Sequence, residues 1–206
     1  MFSVFSTFLS IVGTLFASTT TAVCIFYING YPFFNPNEKD KKYDSMFYTL
    51  KQLPLFLTES TVIGYYVLNY YIVEEKHTLF LSAYKCLSFS LGIEIIYYIY
   101  HRLAHMPFFY RWIHEKHHEK REVYPIDTFS FDPFDFIGLI LSLSLPVCFI
   151  KMNFYEYVFV LYIYSTMGYV SHSTLFYNHH SLHHYHRKCN FCFLYPFMDI
   201  ICGTYR

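Results

Sequence analysis

Apolar positions run along this chain in long blocks separated by short polar segments. Residues 2–28 form the first block, nearly uncharged though rich in Ser and Thr. Residues 53–73 form the second, and a helix of that length covers roughly 30 Å, about one hydrocarbon core. A third block, 79–100, carries Lys85 and Glu94. Two shorter blocks, 134–150 and 154–171, meet at KMNF (151–154), which reads as a tight hairpin. Apolar runs of ~17 residues suit buried or re-entrant helices as well as full spans. The pattern predicts an all-α fold, an integral membrane helical bundle of four to five transmembrane or re-entrant helices. No solenoid repeat, low-complexity tract or linker interrupts it.

Composition supports that picture. Of 206 residues, 54% are apolar and 15% charged, too greasy for an ordinary soluble domain. The formal charge is zero, so neither a nucleic-acid footprint nor an acidic tail is indicated. The first basic residue is Lys39, so residues 1–28 lack the basic start of a cleavable signal peptide and read as a retained transmembrane helix. Cys24, Cys86 and Cys148 sit inside apolar runs, where a thiol behaves as a small hydrophobe. Cys189 and Cys192 form a C-x-x-C with no second pair to complete a four-thiolate site, and read as reduced and incidental.

Basic residues set the orientation. With the N-terminus outside, the cytosolic segments collect Lys39, Lys41, Lys42 and Lys51, then Arg102, Arg111, Lys116, Lys120 and Arg121, then Arg187, Lys188 and Arg206. Only Lys76 and Lys151 fall outside, with Lys85 inside a span. Glu59, Lys85, Glu94 and Glu156 lie within spans and need partners or water. Glu94 precedes His101 by two helical turns, which suits either orienting a histidine or pairing with Lys85.

The candidate chemistry lies in the histidines. Eleven of twelve fall between His101 and His186: HRLAH (101–105), HEKHH (114–118), a lone His172 and HHSLHH (179–184). All of these blocks land on the expected cytosolic side, as a histidine-rich helical cap. In a helix the positions i, i+3 and i+4 share an arc of about 100°. His114, His117 and His118 are therefore expected to converge on one point, as are His180, His183 and His184, while His101 and His105 share a face. With His172 these nine imidazoles exceed the four ligands of one tetrahedral zinc. Two metal ions is the economical count, and imidazole suits iron, zinc, copper or nickel. His179 adjoins the last box and remains ambiguous; His186 reads as solvated, and His77 lies on the opposite side. Paired axial haem ligands would need far fewer histidines.

These motifs resemble the fatty acid hydroxylase/sterol desaturase superfamily of membrane-bound di-iron oxidoreductases. IIYYIYHRLAH is similar to that family's aromatic lead into its first box, and FFYRWIHEKHHEKREVYP to its second. HHSLHHYHRKCNF is similar to the third box, and MDIICGTYR to the closing signature. The match covers roughly residues 94–206, which separates an N-terminal transmembrane part (1–93) from a hydroxylase-like domain (94–206) holding the 134–171 hairpin. The resemblance implies two iron ions, O2 as co-substrate, and hydroxylation or desaturation of a sterol, fatty acid or sphingolipid chain in lipid biosynthesis, sterol biosynthesis included. Glu94, Asn190 and Asp199 are the candidates for groups that hold the metal-bound rings. Each turnover needs two electrons and no flavin motif or haem module is present, so the family's donors, cytochrome b5 or an NAD(P)H-dependent reductase, are the implied partners. Lys116, Lys120, Arg121, Arg187 and Lys188 are a candidate docking face for such a donor. In a eukaryote, family habit places such a protein in the endoplasmic reticulum with the boxes facing the cytosol. Two other readings stay open: a catalytically silent scaffold of the same fold, and a protein holding structural zinc.

Overall fold

The computed structural model describes residues 1–37 and 43–206, so Lys39, Lys41 and Lys42 lie outside the described residues. Among the described residues the regular structure is helical, apart from an isolated parallel bridge between Val73 and Asn153. α1 (Val4–Ile28) starts at a Ser3/Ser6 capping box. α2 spans Asp44–Tyr70, beginning well before the apolar block that starts at 53. The reason is docking of its polar first turns. Ser45 Oγ donates to Asp127 Oδ1 (2.5 Å), and Tyr48 and Thr49 donate to the carbonyls of Phe131 and Phe129. Pro54 sits inside α2 and leaves one helical hydrogen bond unmade.

α3 (Leu79–Ala104) is N-capped by Thr78 and continues past residue 100 to bring His101 into its last turn, with His105 as C-cap. The three-residue α4 (Pro107–Phe109) passes into a π-helical turn, Tyr110–His114. α5 (Pro133–Ser144) begins with Asp132 as N-cap and Pro133 at its first position. A 3-10 turn, Leu145–Cys148, leads into the expected reversal before α6 (Phe154–Ser171). α7 (His179–His186) ends at Arg187 with φ 60°, and α8 (Phe197–Ile201) follows.

Named contacts give the directions. Phe2 N donates to Asn69 Oδ1 (2.8 Å), so α1 starts where α2 ends. Phe2 stacks on Phe154 and Thr19 meets Tyr169, so α1 and α6 run the same way. Tyr164 Oη reaches Ser90 O, aligning α6 with α3, while Tyr100 reaches Asp135 and Gly92 abuts Pro146, so α5 runs against α3. One end of the bundle therefore gathers the end of α1, the start of α2, the end of α3, the start of α5 and the end of α6. Every histidine box lies there.

The opposite end holds two of the four span charges, Lys85 and Glu156. Lys85 Nζ donates to Lys151 O (2.7 Å) and to His77 Nε2 (3.0 Å), and His77 Nδ1 donates to Glu156 Oε1 (2.7 Å). Lys85 is thus committed to His77 and not to Glu94. Between the two ends, Phe89, Ile93, Val147, Met152, Tyr157 and Tyr164 form the main apolar core. Among the described residues, two helices are long and apolar enough to cross a membrane, Val4–Ile28 and Leu79–Ala104. α2, which carries Asp44, Lys51 and Glu59, and the α5–α6 hairpin fall outside that pair.

Candidate metal centre

His101, His105, His114, His118 and His183 each bring one ring nitrogen within 4.8 Å of the others. His117, His172, His180 and His184 form a second group on the same criterion. The groups adjoin, with the rings of His118 and His184 4.4 Å apart. All nine expected imidazoles are brought together, and only the partly exposed His105 is not fully buried.

The boxes do not each converge on one point, as their spacing had suggested. His114 and His118 join the five-histidine group and His117 the other; His180 and His184 join the four-histidine group and His183 the first. Helix geometry explains the split. Positions i and i+4 lie about 40° apart, whereas i+3 lies about 60° to the other side. An H-x-x-H-H turn therefore faces two targets, two rings to one and one ring to its neighbour. HRLAH sends both of its histidines to the five-membered group, and His172, at the C-cap of α6, completes the four.

The nitrogens that face one another are Nε2 atoms. His101–His114, His114–His118, His118–His105, His105–His183 and His183–His118 are separated by 3.0–3.1 Å, and His117–His184 by 3.2 Å. Two nitrogens bound at about 2.1 Å and 90° apart stand about 3.0 Å from each other, whereas tetrahedral ligands stand about 3.4 Å apart. The five-histidine spacing thus fits a cation of higher coordination better than a tetrahedral one.

Outer hydrogen bonds determine which nitrogen is free. A carbonyl or carboxylate only accepts, so a ring bonded to one through Nδ1 carries its proton there and turns a bare Nε2 inward. His101 Nδ1 donates to Phe191 O (2.8 Å), His183 to Cys189 O (2.7 Å), His172 to Gly168 O (2.9 Å) and His114 to Asp135 Oδ2 (2.8 Å). His172 Nε2 is buried with no protein partner, as a metal ligand would be. Burial favours the neutral form of seven of the imidazoles: His105 falls to about 2 and His172 to about 4, and His117, His118, His180, His183 and His184 also fall, by burial first and then by neighbouring imidazoles. Neutral, inward-facing, buried nitrogens in two groups fit a pair of transition-metal ions.

The three residues expected to hold rings hold the backbone instead. Glu94 accepts from Phe193 N (2.9 Å), Leu194 N (3.0 Å) and Tyr164 Oη (3.0 Å), and from no histidine. Asp199 accepts from Phe191 N, Cys192 N and Thr204 Oγ1, and Asn190, at φ 60°, bonds His179 O and the Arg206 backbone. Together they pin the loop whose carbonyls, Cys189 O and Phe191 O, orient His183 and His101. His179 stays out of both groups, stacked between Tyr177 and Tyr205 with Nε2 3.2 Å from Asp199, too poorly aligned to count as a directed hydrogen bond. His186 is exposed.

The carboxylate that does hold a ring, Asp135, was not singled out from the sequence. Three residues after the N-cap Asp132, it reads as a first-turn acid serving the helix N-terminus. The structure turns it inward, where it also accepts from Tyr100 Oη. Tyr100 lies against Gly138, where a Cβ would come within 2.3 Å of its ring.

A cavity of about 410 Å³ runs between α1, α2, α5 and α6 and ends on His117, His172 and His180. Its wall along α1 extends from Thr7 to Thr19, about 18 Å of helix. The hydroxyls of Thr7, Ser10 and Thr14 donate to carbonyls four residues back, so this Ser/Thr-rich helix lines an apolar space.

A family model described as fatty acid hydroxylase matches residues 86–204. No curated protein and no solved structure matches the chain. With the family match extending over more than half of its length and across every histidine box, the chain belongs to the fatty acid hydroxylase family, part of the fatty acid hydroxylase/sterol desaturase superfamily of membrane-associated oxidoreductases.

Proposed function

We propose that this protein is a multi-pass membrane oxidoreductase that uses two iron ions and O2 to hydroxylate or desaturate a lipid: a sterol, a fatty acid or a sphingolipid chain. The observation that carries this reading is the apolar cavity that ends on the four-histidine group. When bound, the ions would supply the activation of O2. The chain's own residues do the rest. Nine imidazoles offer the ions donors that bring no negative charge to cancel theirs, which favours anionic oxygen ligands. Phe131 lies flat on His117, ring centroids 4.4 Å apart, and Phe193 adjoins His180, so the cavity head is walled by aromatic rings and kept from water. A lipid tail laid between α1 and α6 would bring one carbon to His117, His172 and His180.

Hydroxylation balances as RH + O2 + 2 electrons + 2 protons giving ROH + H2O. The electrons would come from cytochrome b5 or an NAD(P)H-dependent reductase at the histidine end. Of the basic residues expected to receive it, Lys116 pairs with Glu119 and Lys120 with Asp127, while Arg121 and Lys188 are exposed. Those two are the stronger docking candidates. The histidine end would face the cytosol, in a eukaryote that of the endoplasmic reticulum.

The test is lipid mass spectrometry of cells expressing the intact protein, its H117A and H118A variants, or none, with metal analysis of the purified protein. The expected result is a lipid that gains one oxygen or loses two hydrogens only with the intact protein, which carries two irons. An unchanged lipid profile at normal protein levels, or zinc in place of iron, would overturn the proposal.

A further inference from the structure

On the water side of the five-histidine group lies a polar recess separate from the lipid cavity. It has a volume of about 540 Å³, and its lining includes Tyr110, Arg111, Lys116, His118, Asp132 and Arg187. Three of these residues bear a buried polar atom without a protein partner: Tyr110 Oη, Arg187 Nε and His118 Nδ1. All three are hydrogen donors, since His118 turns Nε2 toward His114, His105 and His183 and keeps its proton on Nδ1.

Glu115, Glu119 and Arg111 also line the recess and are exposed, whereas the other polar groups there are engaged. Arg187 Nη2 donates to His118 O (2.7 Å), which fixes the guanidinium beside that ring. Lys116 is paired with Glu119, and Asp132 Oδ1 caps α5 through Phe134 N. What is left is a set of donors, one of them cationic, with no buried acceptor in the recess left over. A buried donor left unpaired is costly. The complementary ligand is one that only accepts and carries negative charge.

We infer that this recess binds a small oxyanion, a phosphate or carboxylate, held by Arg187 Nε, Tyr110 Oη and His118 Nδ1. His114 takes its outer partner from Asp135, and His101 and His183 take theirs from backbone carbonyls. His118 takes its outer partner from solution. The oxyanion thereby orients a ring of the five-histidine group from the aqueous side, through an entrance the lipid does not use.

The test is calorimetric titration of the purified, metal-loaded protein with inorganic phosphate, alongside Y110F, R187Q and K188Q. Tyr110→Phe removes one hydroxyl and keeps the ring; Lys188 is exposed and lies outside the recess lining. Saturable binding is expected in the intact protein and in K188Q. Affinity should fall by about ten-fold in Y110F and by more in R187Q, where a charged donor is lost. Absence of saturable binding in the intact protein, equal affinity across all four proteins, or an equal loss in K188Q would each sink the proposal. Because the readout is heat of phosphate binding, a protein that binds phosphate but transforms no lipid would leave this inference standing while the functional proposal failed.

Discussion

His114 shows what an imidazole needs besides a lone pair. Its Nε2 faces His101 and His118 while Nδ1 donates to Asp135, itself bonded by Tyr100. Such outer partners fix the tautomer and raise ligand basicity, and their loss weakens metal binding by roughly 10–100-fold. Asp135→Ala should therefore lower metal affinity on that order, with Asp135→Asn nearer the lower end because an amide oxygen still accepts. Competition with a graded series of chelators measures this; retention equal to the unaltered protein would mean Asp135 does not orient the ring. The sequence offered little warning of this role. An Asp three residues into a helix after an Asp-Pro start has an ordinary local explanation, and only the crossing of α3 and α5 brings it to a histidine emitted from the loop between them.

At the scale of elements, each H-x-x-H-H turn is a bridge between the two groups, and the helices must cross at fixed positions for both to form. Gly138 enables one crossing, because any side chain on α5 there would occupy the ring of Tyr100 on α3. Gly138→Ala should cost about 1–3 kcal/mol by overpacking, read as a lowered thermal midpoint in detergent. Since it also displaces Tyr100 from Asp135, metal retention should fall with it. His172 serves the four-histidine group alone. His172→Ala is accordingly expected to lose one of two bound ions, and elemental analysis that still finds two would contradict the assignment of His172 to that group. Element boundaries were only partly legible beforehand. Hydropathy located the starts of α3 and α6, but missed the first turns of α2 because those are held by hydrogen bonds to the 127–131 loop. Hydropathy also stopped α3 short of His101, since a buried histidine looks polar to it.

For the molecule as a whole, burial of so many neutral imidazoles sets a pH dependence. Seven histidines at this end, outside the spans, titrate below the ordinary value of 6.5 when folded: His172 at about 4, His105 at about 2, and His117, His118, His180, His183 and His184 lowered by burial. Above pH 6.5 neither the folded nor the unfolded chain protonates them, and they contribute nothing to pH dependence. As pH falls below 6.5 the unfolded chain takes up protons that the folded chain refuses, so the metal-free fold loses roughly 1 kcal/mol per group per pH unit. Thermal melts of metal-stripped protein should show a midpoint steady from pH 8 to 7 and falling steeply between 6 and 5. A flat profile across that range would mean the rings are not buried neutral. Bound metal competes with the same protons and should shift the fall to lower pH.

The nine imidazoles, their grouping toward one end of the bundle, and the membership of the family that contains them were readable from residue order alone. Both helical spacing and hydropathy are local properties, and a box of histidines needs only one turn of chain to bring its rings near one another. The division into groups of five and four was not readable, nor was the replacement of Glu94, Asn190 and Asp199 by Asp135 and three backbone carbonyls as the partners of the rings. Those depend on which face of one helix meets which face of another, across separations such as that between His101 and Phe191. Hydrogen bonds and coordination act over about 3 Å, so their partners are set only once the chain has packed.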